Sequence, residues 1–387
     1  MAASTLTEVA RLAGVSPATA SRVLNGSERK PGPGVSERVR QAAEALGYIP
    51  NAQAQALAKS SSGLIGLIVH DIADPYFSAI ARGVQEVAKT QSKMVLLATT
   101  AGTPADEKEA VAAFAARRAD AIVIAGSRSS RPEDQGANAE LAAELDRYCR
   151  NGGHVGVVGQ AIVGAGQSEG YHLVEVPNEE LASELAQQLA TAHRGDFVIV
   201  AGPEGLVTSD DRIRGFQKGL ANAGRTPAEV LHTSFNRAGG YEAGRPLAER
   251  IRSRQEGGPG SDSGGGDQPR LCIFAANDVM AIGLVAALRS EDLRVPRDAL
   301  VAGFDDIETL RDFRPALSTV RLPLEEIGRL ATLSTVGHSR KDLTAKTKAV
   351  DKPSHPAGKT AGVVLENGQR PVVAGGIKLR RSTQWPP

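Results

Sequence analysis

Cysteine is almost missing: the 387-residue chain holds only Cys149 and Cys272. That excludes a disulfide scaffold and any zinc site built on several thiolates. Long apolar runs are missing too, since none approaches the roughly 18–20 residues that span a bilayer. The opening thirty residues hold no apolar segment with a cleavage site, so the expected compartment is the cytoplasm, with no membrane partner. Neither sign of charge dominates. The balance of 45 basic and 44 acidic residues gives +1, so contact with nucleic acid would have to rest on local charge. Catalytic signatures are lacking as well, with no HExxH, no GxSxG and no clustered metal spacing. Ala357-Gly-Lys-Thr360 contains a GKT, but Pro353 stands where a phosphate loop needs glycine. Gly164-Ala-Gly-Gln-Ser-Glu-Gly170 has the wrong spacing for a dinucleotide loop. The expectation is therefore no enzyme, no cofactor and no metal. His70, His154, His172, His193 and His232 read as turn or surface residues, and the two cysteines as small apolar fillers.

What is present suits an ordinary globular protein of two or more domains, with 41% apolar and 23% charged residues. Residues 1–60 carry seven basic residues against four acidic ones, so a small basic head precedes a slightly acidic body. The head reads as three short helices. Thr5-Leu-Thr-Glu8 has capping-box spacing, Leu6, Val9, Ala10 and Ala13 recur at helical intervals, and Gly14 ends the run. Ser16-Pro17 restarts a helix to about Asn25. A third is expected after Ser36, ending at Gly47, with Pro31-Gly-Pro-Gly34 as the loop before it.

Asn51–Ala58 is alanine-rich yet too short to hold as a helix alone, and Ser60-Ser-Ser-Gly63 reads as linker. Beyond it strands alternate with helices: Leu64–Val69, Met94–Thr99, Ala121–Ile124, Val155–Val158, Phe197–Ala201, Leu271–Ala275 and Leu300–Phe304. That alternation predicts two doubly wound parallel sheets. Ser253–Pro269 and Val336–Thr360 read as surface insertions, with Ser127–Gly136 as a third.

The helix–Gly14-Val-Ser16–helix arrangement is a helix-turn-helix candidate. Its second helix would enter a major groove. Ser16, Thr19, Ser21 and Asn25 can bond phosphate oxygens, Arg22 can pair with a guanine, and Ala18 can touch a thymine methyl. An alanine-rich hairpin with ordinary caps is the plainer alternative.

The run Thr5-Leu-Thr-Glu-Val-Ala-Arg-Leu-Ala-Gly-Val-Ser-Pro-Ala-Thr-Ala-Ser-Arg-Val-Leu-Asn25 closely resembles the head of the lactose/galactose-repressor (LacI/GalR) family. So do Leu46-Gly-Tyr-Ile-Pro-Asn51, Ile65-Gly66, Asp74-Pro-Tyr-Phe77, Arg212-Ile-Arg-Gly-Phe216, Ala276-Asn-Asp278, Gly303-Phe-Asp-Asp306 and Pro315-Ala-Leu-Ser-Thr-Val320. The resemblance implies an all-α helix-turn-helix head at 1–50, a hinge helix and linker at 51–62, and a periplasmic-binding-protein-like α/β core at 63–387. Its two doubly wound parallel-sheet subdomains would comprise about 63–160 with 322–336, and about 161–320 with 361–385. It also implies a homodimer on a pseudo-palindromic double-stranded DNA operator. By that match Pro17, Ala18 and Arg22 read bases, Ser16, Thr19, Ser21, Asn25 and Asn51 join the DNA contact, and Leu57 wedges into the minor groove. Dimer packing is the duller role for Leu57.

A small-molecule effector, sugar- or nucleoside-like, is implied in the core, where ligands sit beyond the carboxyl ends of strands. Asp74, Tyr76, Phe77, Arg212, Phe235, Asn277 and Asp305 are its expected contacts. Each has a plainer reading: Asp305 or Asp306 as a helix cap, Arg212 as a surface ion pair, Asn277 as a turn, Phe235 as core, and Tyr76 with Phe77 as an interface plug. The sequence departs from the family at Ala20, at Gln55, at Pro177 and at Gly159-Gln160, the last two weakening the case for a simple sugar. A solute-binding receptor would share this core, and a regulator answering to a protein partner would share the head.

Overall fold

Thr5 opens the first helix reciprocally with Glu8. The Glu8 N–H donates to Thr5 Oγ1 at 3.3 Å, and the Thr5 N–H donates to the Glu8 carboxylate at 2.7 Å. This helix, α1 (Leu6–Ala13), ends at Gly14, whose φ of 64° is the left-handed geometry that glycine adopts without strain. The Ser16 hydroxyl accepts from the Thr19 N–H at 3.1 Å and starts α2 (Pro17–Asn25). The third helix, α3 (Pro33–Ala45), begins at Pro33 rather than after Ser36. Proline at the first helical position forfeits no hydrogen bond, and the Ser36 hydroxyl secures the turn by donating to Pro31 O at 3.1 Å. Val9, Ala10, Ala13, Ala20, Val39, Ala42 and Ala43 form the buried core of this small unit.

The computed structural model describes residues 4–25, 31–49, 61–166, 168–256, 270–336, 362–366 and 370–384. The chain divides into two compact units, Met1–Gly63 and Leu64–Pro387. Asn51 and Leu57 lie outside the described residues, as do most of the two long insertions.

The larger unit is built on two sheets. In the first, β1 (Leu64–Val69), β2 (Met94–Thr99), β3 (Ala121–Ala125), β4 (His154–Val158) and β5 (Tyr171–Val174) run parallel in the order β2-β1-β3-β4-β5. Helices α4 (Pro75–Thr90), α5 (Pro104–Ala116) and α6 (Gln135–Arg150) connect them. Side chains alternate along β1: Ile65, Leu67 and Val69 share the core with α4, while Ile68 joins Phe114, Leu141 and Leu145 on the other face. Gly66 is required there, because a Cβ would lie 2.3 Å from the Phe114 ring.

The second lobe begins with α7 (Asn178–Ala192) and β6 (Phe197–Ala201), then continues through α8 (Val207–Asn222), β7 (Glu229–His232), α9 (Arg237–Glu256) and β8 (Leu271–Ala275). It ends with α10 (Asp278–Ser290), β9 (Ala299–Asp305) and β10 (Ser318–Arg321). Helix α11 (Leu324–Thr335) returns to pack on α4 of the first lobe. A hairpin of β11 (Gly362–Glu366) and β12 (Arg370–Ala374) precedes β13 (Gly376–Lys378), and the second sheet runs β13-β10-β9-β8-β6-β7. Both sheets reverse their strand order, at β1/β3 and at β6/β8, and such switch points are where α/β sheets leave a crevice.

Several expectations are corrected. The first subdomain does not end at 160, because β5 is the fifth strand of its sheet. The hairpin within 361–385 does not join the second sheet, and the Val373 N–H donates instead to Glu175 O beside β5. Helix α9 extends to Glu256, into the expected insertion. The missed strands are short edges: β5 has one fully buried residue, and β7 is half exposed. In β10 the buried Ser318 and Thr319 hide the apolar period, their hydroxyls bonded to Thr383 and Asp278.

Gly83 on α4 and Gly328 on α11 let those helices approach: Cβ atoms there would lie 1.9 Å from Glu325 O and 2.1 Å from Ile80 O. Gly83→Ala should destabilise the larger unit by about 1–3 kcal/mol, measured by urea unfolding. Gly136→Ala, with open space around the added carbon, should be neutral or stabilise by up to about 1 kcal/mol.

Candidate functional site

On α2 the residues divide cleanly between two faces. Ala20 is fully buried, and Val23 and Leu24 pack on the core of the small unit. Ser16, Pro17, Ala18 and Arg22 are exposed, with Thr19 and Ser21 half-exposed beside them. The Ser16 and Thr19 hydroxyls lie 2.9 Å apart. Asn25 closes the helix, but its side chain lies outside what is described. The exposed face combines small side chains, hydroxyls and one long cation, a shape that permits close approach to a polyanion.

A cleft of about 950 Å³ opens where the carboxyl ends of the two sheets meet, and all seven expected core residues line it. Asp74 caps α4, accepting from the Tyr76 N–H at 2.9 Å. Tyr76 and Phe77 meet edge to face at 5.0 Å between centroids, both packed partly into the core. Burial pushes the Tyr76 hydroxyl well above its ordinary value. Asn277 does close a turn, accepting from the Met280 N–H at 2.8 Å as the cap of α10. Phe235 is half-buried and packs on Gly202, where a Cβ would come within 2.7 Å of its ring.

Arg212 is the centre of the floor and is no surface ion pair, being 2% exposed. Its Nε donates to Asn178 Oδ1 at 2.9 Å, Nη1 to Ala276 O at 2.7 Å and Nη2 to Asp305 Oδ1 at 2.8 Å. Its guanidinium carbon stands 3.8 Å over the Phe304 ring. Asp305 caps no helix. It ends β9 with φ 116°, followed by Asp306 at φ 56°, two strained positions worth about 1–3 kcal/mol each. Ion pairs hold them: Arg212 on Asp305, Arg321 and Arg380 on Asp306. Burial raises the Asp305 carboxyl to about 7 against the pull of Arg212, with the charge of Asp74 adding to the rise. Asp278, also buried, is raised well above its ordinary value and accepts from Thr319 and the Ile307 N–H.

Sequence reasoning missed four residues here. Asn178 orients Arg212, and its position after Pro177 was the available signal. His70, expected at a turn or surface, lines the cleft, with Glu107 at 3.4 Å. Arg128 and Gln160 help join the lobes. The segment Ser127–Gly136, expected as a surface insertion, is tied to the second lobe. Val207 N–H donates to Arg128 O, Ser130 N–H to Gly205 O, and Arg131 Nε to Glu204 O, at 2.9, 2.8 and 3.0 Å. Gln160 accepts from the Thr208 hydroxyl at 3.2 Å and donates to Asp211. The lobes thus share a rim of exchangeable polar contacts.

Known proteins bear on both parts. Residues 5–51 match the model of bacterial regulatory proteins, lacI family, and residues 186–352 match a periplasmic binding protein-like domain. The ribose operon repressor of Halalkalibacterium halodurans is 29% identical, the match covering 85% of this chain and 88% of that protein. The HTH-type transcriptional regulator CelR of Thermobifida fusca is 28% identical over 84% and 88% of the two chains. A solved complex of transcriptional regulator CelR with cellobiose is 25% identical, with a TM-score of 0.59 over 98% of this chain and 99% of that one. The lac repressor dimer bound to operator and an anti-inducer shares the fold, at 22% identity and a TM-score of 0.69 over 99% of each chain.

Arg212→Ala should destabilise the larger unit by about 3–5 kcal/mol, because it strands a buried carboxyl, as read by urea unfolding. Asp305 gives a signed pH effect. Its raised value means the folded state keeps a proton that the unfolded state has lost above about pH 4. From about pH 4 to the folded value near 7, the wild type should therefore lose stability relative to Asp305→Asn as pH rises. Unfolding midpoints of the two across that window check the sign.

Proposed function

We propose that α2 reads base edges while the cleft holds the controlling small molecule, in a chain that belongs to the lacI family of bacterial regulatory proteins and is a DNA-binding repressor with a periplasmic-binding-protein-like effector domain. The observation that carries the reading is the exposure of Ala18 and Arg22 on the face of α2 opposite the buried Ala20, with Pro17 exposed at the first position of the helix. Arg22 supplies the bidentate donor that guanine requires, and Ala18 a methyl-sized apolar contact. Ser16, Thr19, Ser21 and Asn25 hold the phosphates and set the register. One such head makes few contacts, so we assign function to a homodimer on a pseudo-palindromic operator, with two half-sites fixed by the protein's own two-fold axis. Asn51 and Leu57 complete the contact in this reading, with Leu57 opening a base step at the centre.

The cleft supports a sugar- or nucleoside-like effector. Arg212 has five N–H donors and spends three on the protein, so two remain for hydroxyl oxygens. Asp74 and Asp305 offer acceptors, and Tyr76, Phe77 and Phe235 supply ring faces. The relatives named for a ribose operon and solved with cellobiose favour this class. A ligand engaging both lobes changes the balance of the polar rim between Ser127–Arg131 and Glu204–Thr208, and through it operator affinity. Coupling of this kind amounts to about 1–3 kcal/mol.

Mobility-shift titration against duplexes selected from a random pool tests the DNA reading. Affinity should fall steeply with salt while sequence preference survives. Arg22→Ala should cost about 1–3 kcal/mol on the selected site and relax preference at one base pair. Equal loss on random duplex would contradict base reading.

A further inference from the structure

His70 follows β1 and borders the cleft, yet nothing so far gives it a role. Behind it lies a buried ion pair. Glu107 and Arg128 are 2% and 4% exposed, with Arg128 Nη1 2.5 Å from Glu107 Oε2 and Nη2 donating to Gly126 O at 3.0 Å. Burial works to raise the Glu107 carboxyl, but the opposing pull, led by the charge of Arg128, holds it below the ordinary value. The other carboxylate oxygen, Oε1, and His70 Nε2 are both buried without a hydrogen-bond partner among the described residues, and they face each other at 3.4 Å.

Only a proton on Nε2 serves both atoms. A lone pair there would press two acceptors together out of water, which is unfavourable. The proton on Nε2 leaves Nδ1 of the neutral ring as an acceptor. Two glycines keep the ring in place and uncovered. A Cβ on Gly126 would lie 2.0 Å from Nε2, and one on Gly102 would lie 3.0 Å from Nδ1. The Phe77 ring, 5.6 Å away, backs the imidazole.

We propose that His70 is a ligand-contacting residue of the cleft, presenting a fixed acceptor nitrogen that selects a ligand with a hydroxyl or N–H donor at the first-lobe wall. The proposal rests on the cleft being the effector site. It adds a second end to that site, opposite the Arg212–Asp305 floor, and it makes the buried Glu107–Arg128 pair the device that fixes the ring's tautomer. A deoxy analogue, with no donor at that position, forfeits the bond, and an O-methyl analogue, which offers only an acceptor there, meets a lone pair; both lose affinity.

Two measurements on the full chain test it. Imidazole nitrogen NMR at mildly alkaline pH should find the neutral His70 ring protonated on Nε2, and protonation on Nδ1 would overturn the proposal whatever binds. Calorimetry with ribose, cellobiose and adenosine, each paired with its deoxy or O-methyl analogues, supplies the second arm. His70→Phe, which keeps the ring volume, should bind the preferred compound roughly tenfold more weakly, the worth of one hydrogen bond. It should also lose the preference for the parent over one analogue, and His70→Gln should recover part of it. Unchanged binding in His70→Phe beside weakened binding in Asp305→Asn would overturn the role of His70 and leave the effector site standing. Unchanged binding in both would remove the effector site itself.

Discussion

A buried guanidinium organises the effector core. Taking Arg212 out of water costs several kcal/mol, and the chain offsets this with three acceptors from three places: Asn178 at the start of α7, Ala276 after β8 and Asp305 at the end of β9. Those places are distant in sequence and meet only if both the strand order and the helix entries are right. The arrangement also fixes chemistry. Asp305 sits in a strained backbone geometry that its ion pair stabilises, so the floor is preorganised before any ligand arrives. Preorganisation lowers the cost of ordering the site on binding.

Much of this was legible in the chain itself. The central strands β1, β3, β6, β8 and β9 are continuous apolar runs, the pattern that burial on both faces imposes. The head was legible through its punctuation, because Thr5, Gly14 and Ser16 each do a backbone task that few other residues do. Six of the seven cleft residues were legible by position, since each follows the carboxyl end of a strand or opens a helix; Arg212 lies instead in the second turn of α8, which begins at Val207. What failed did so for physical reasons. Strands β5 and β7 are short sheet edges, so no apolar period develops, and β10 buries polar residues whose partners lie some sixty residues away. The start of α3 was misplaced because Pro-Gly signals a loop and a helix first turn equally well. The roles of His70 and Arg128 were not legible because a buried ion network has no local sequence period, only a meeting of the turn after β1, the first turn of α5 and the turn after β3.

In the proposed function the polar rim is the part of the core that switches. Backbone bonds between Arg128 and Val207, and between Ser130 and Gly205, join the lobes at this rim, beside a buried apolar core that runs through both lobes. Each can be exchanged for water at a net cost near 1 kcal/mol. Contacts so readily exchanged allow, in the proposed function, two arrangements of the rim that a ligand can tip.

The central claim is that cleft and head are thermodynamically linked, and linkage is reciprocal. The most direct test titrates the cleft ligand calorimetrically into the free protein and into the protein saturated with its selected duplex. The account predicts two different dissociation constants, separated by a factor of roughly 5–150, with the same factor recovered when duplex is titrated with and without ligand. Identical constants in the two titrations would contradict it.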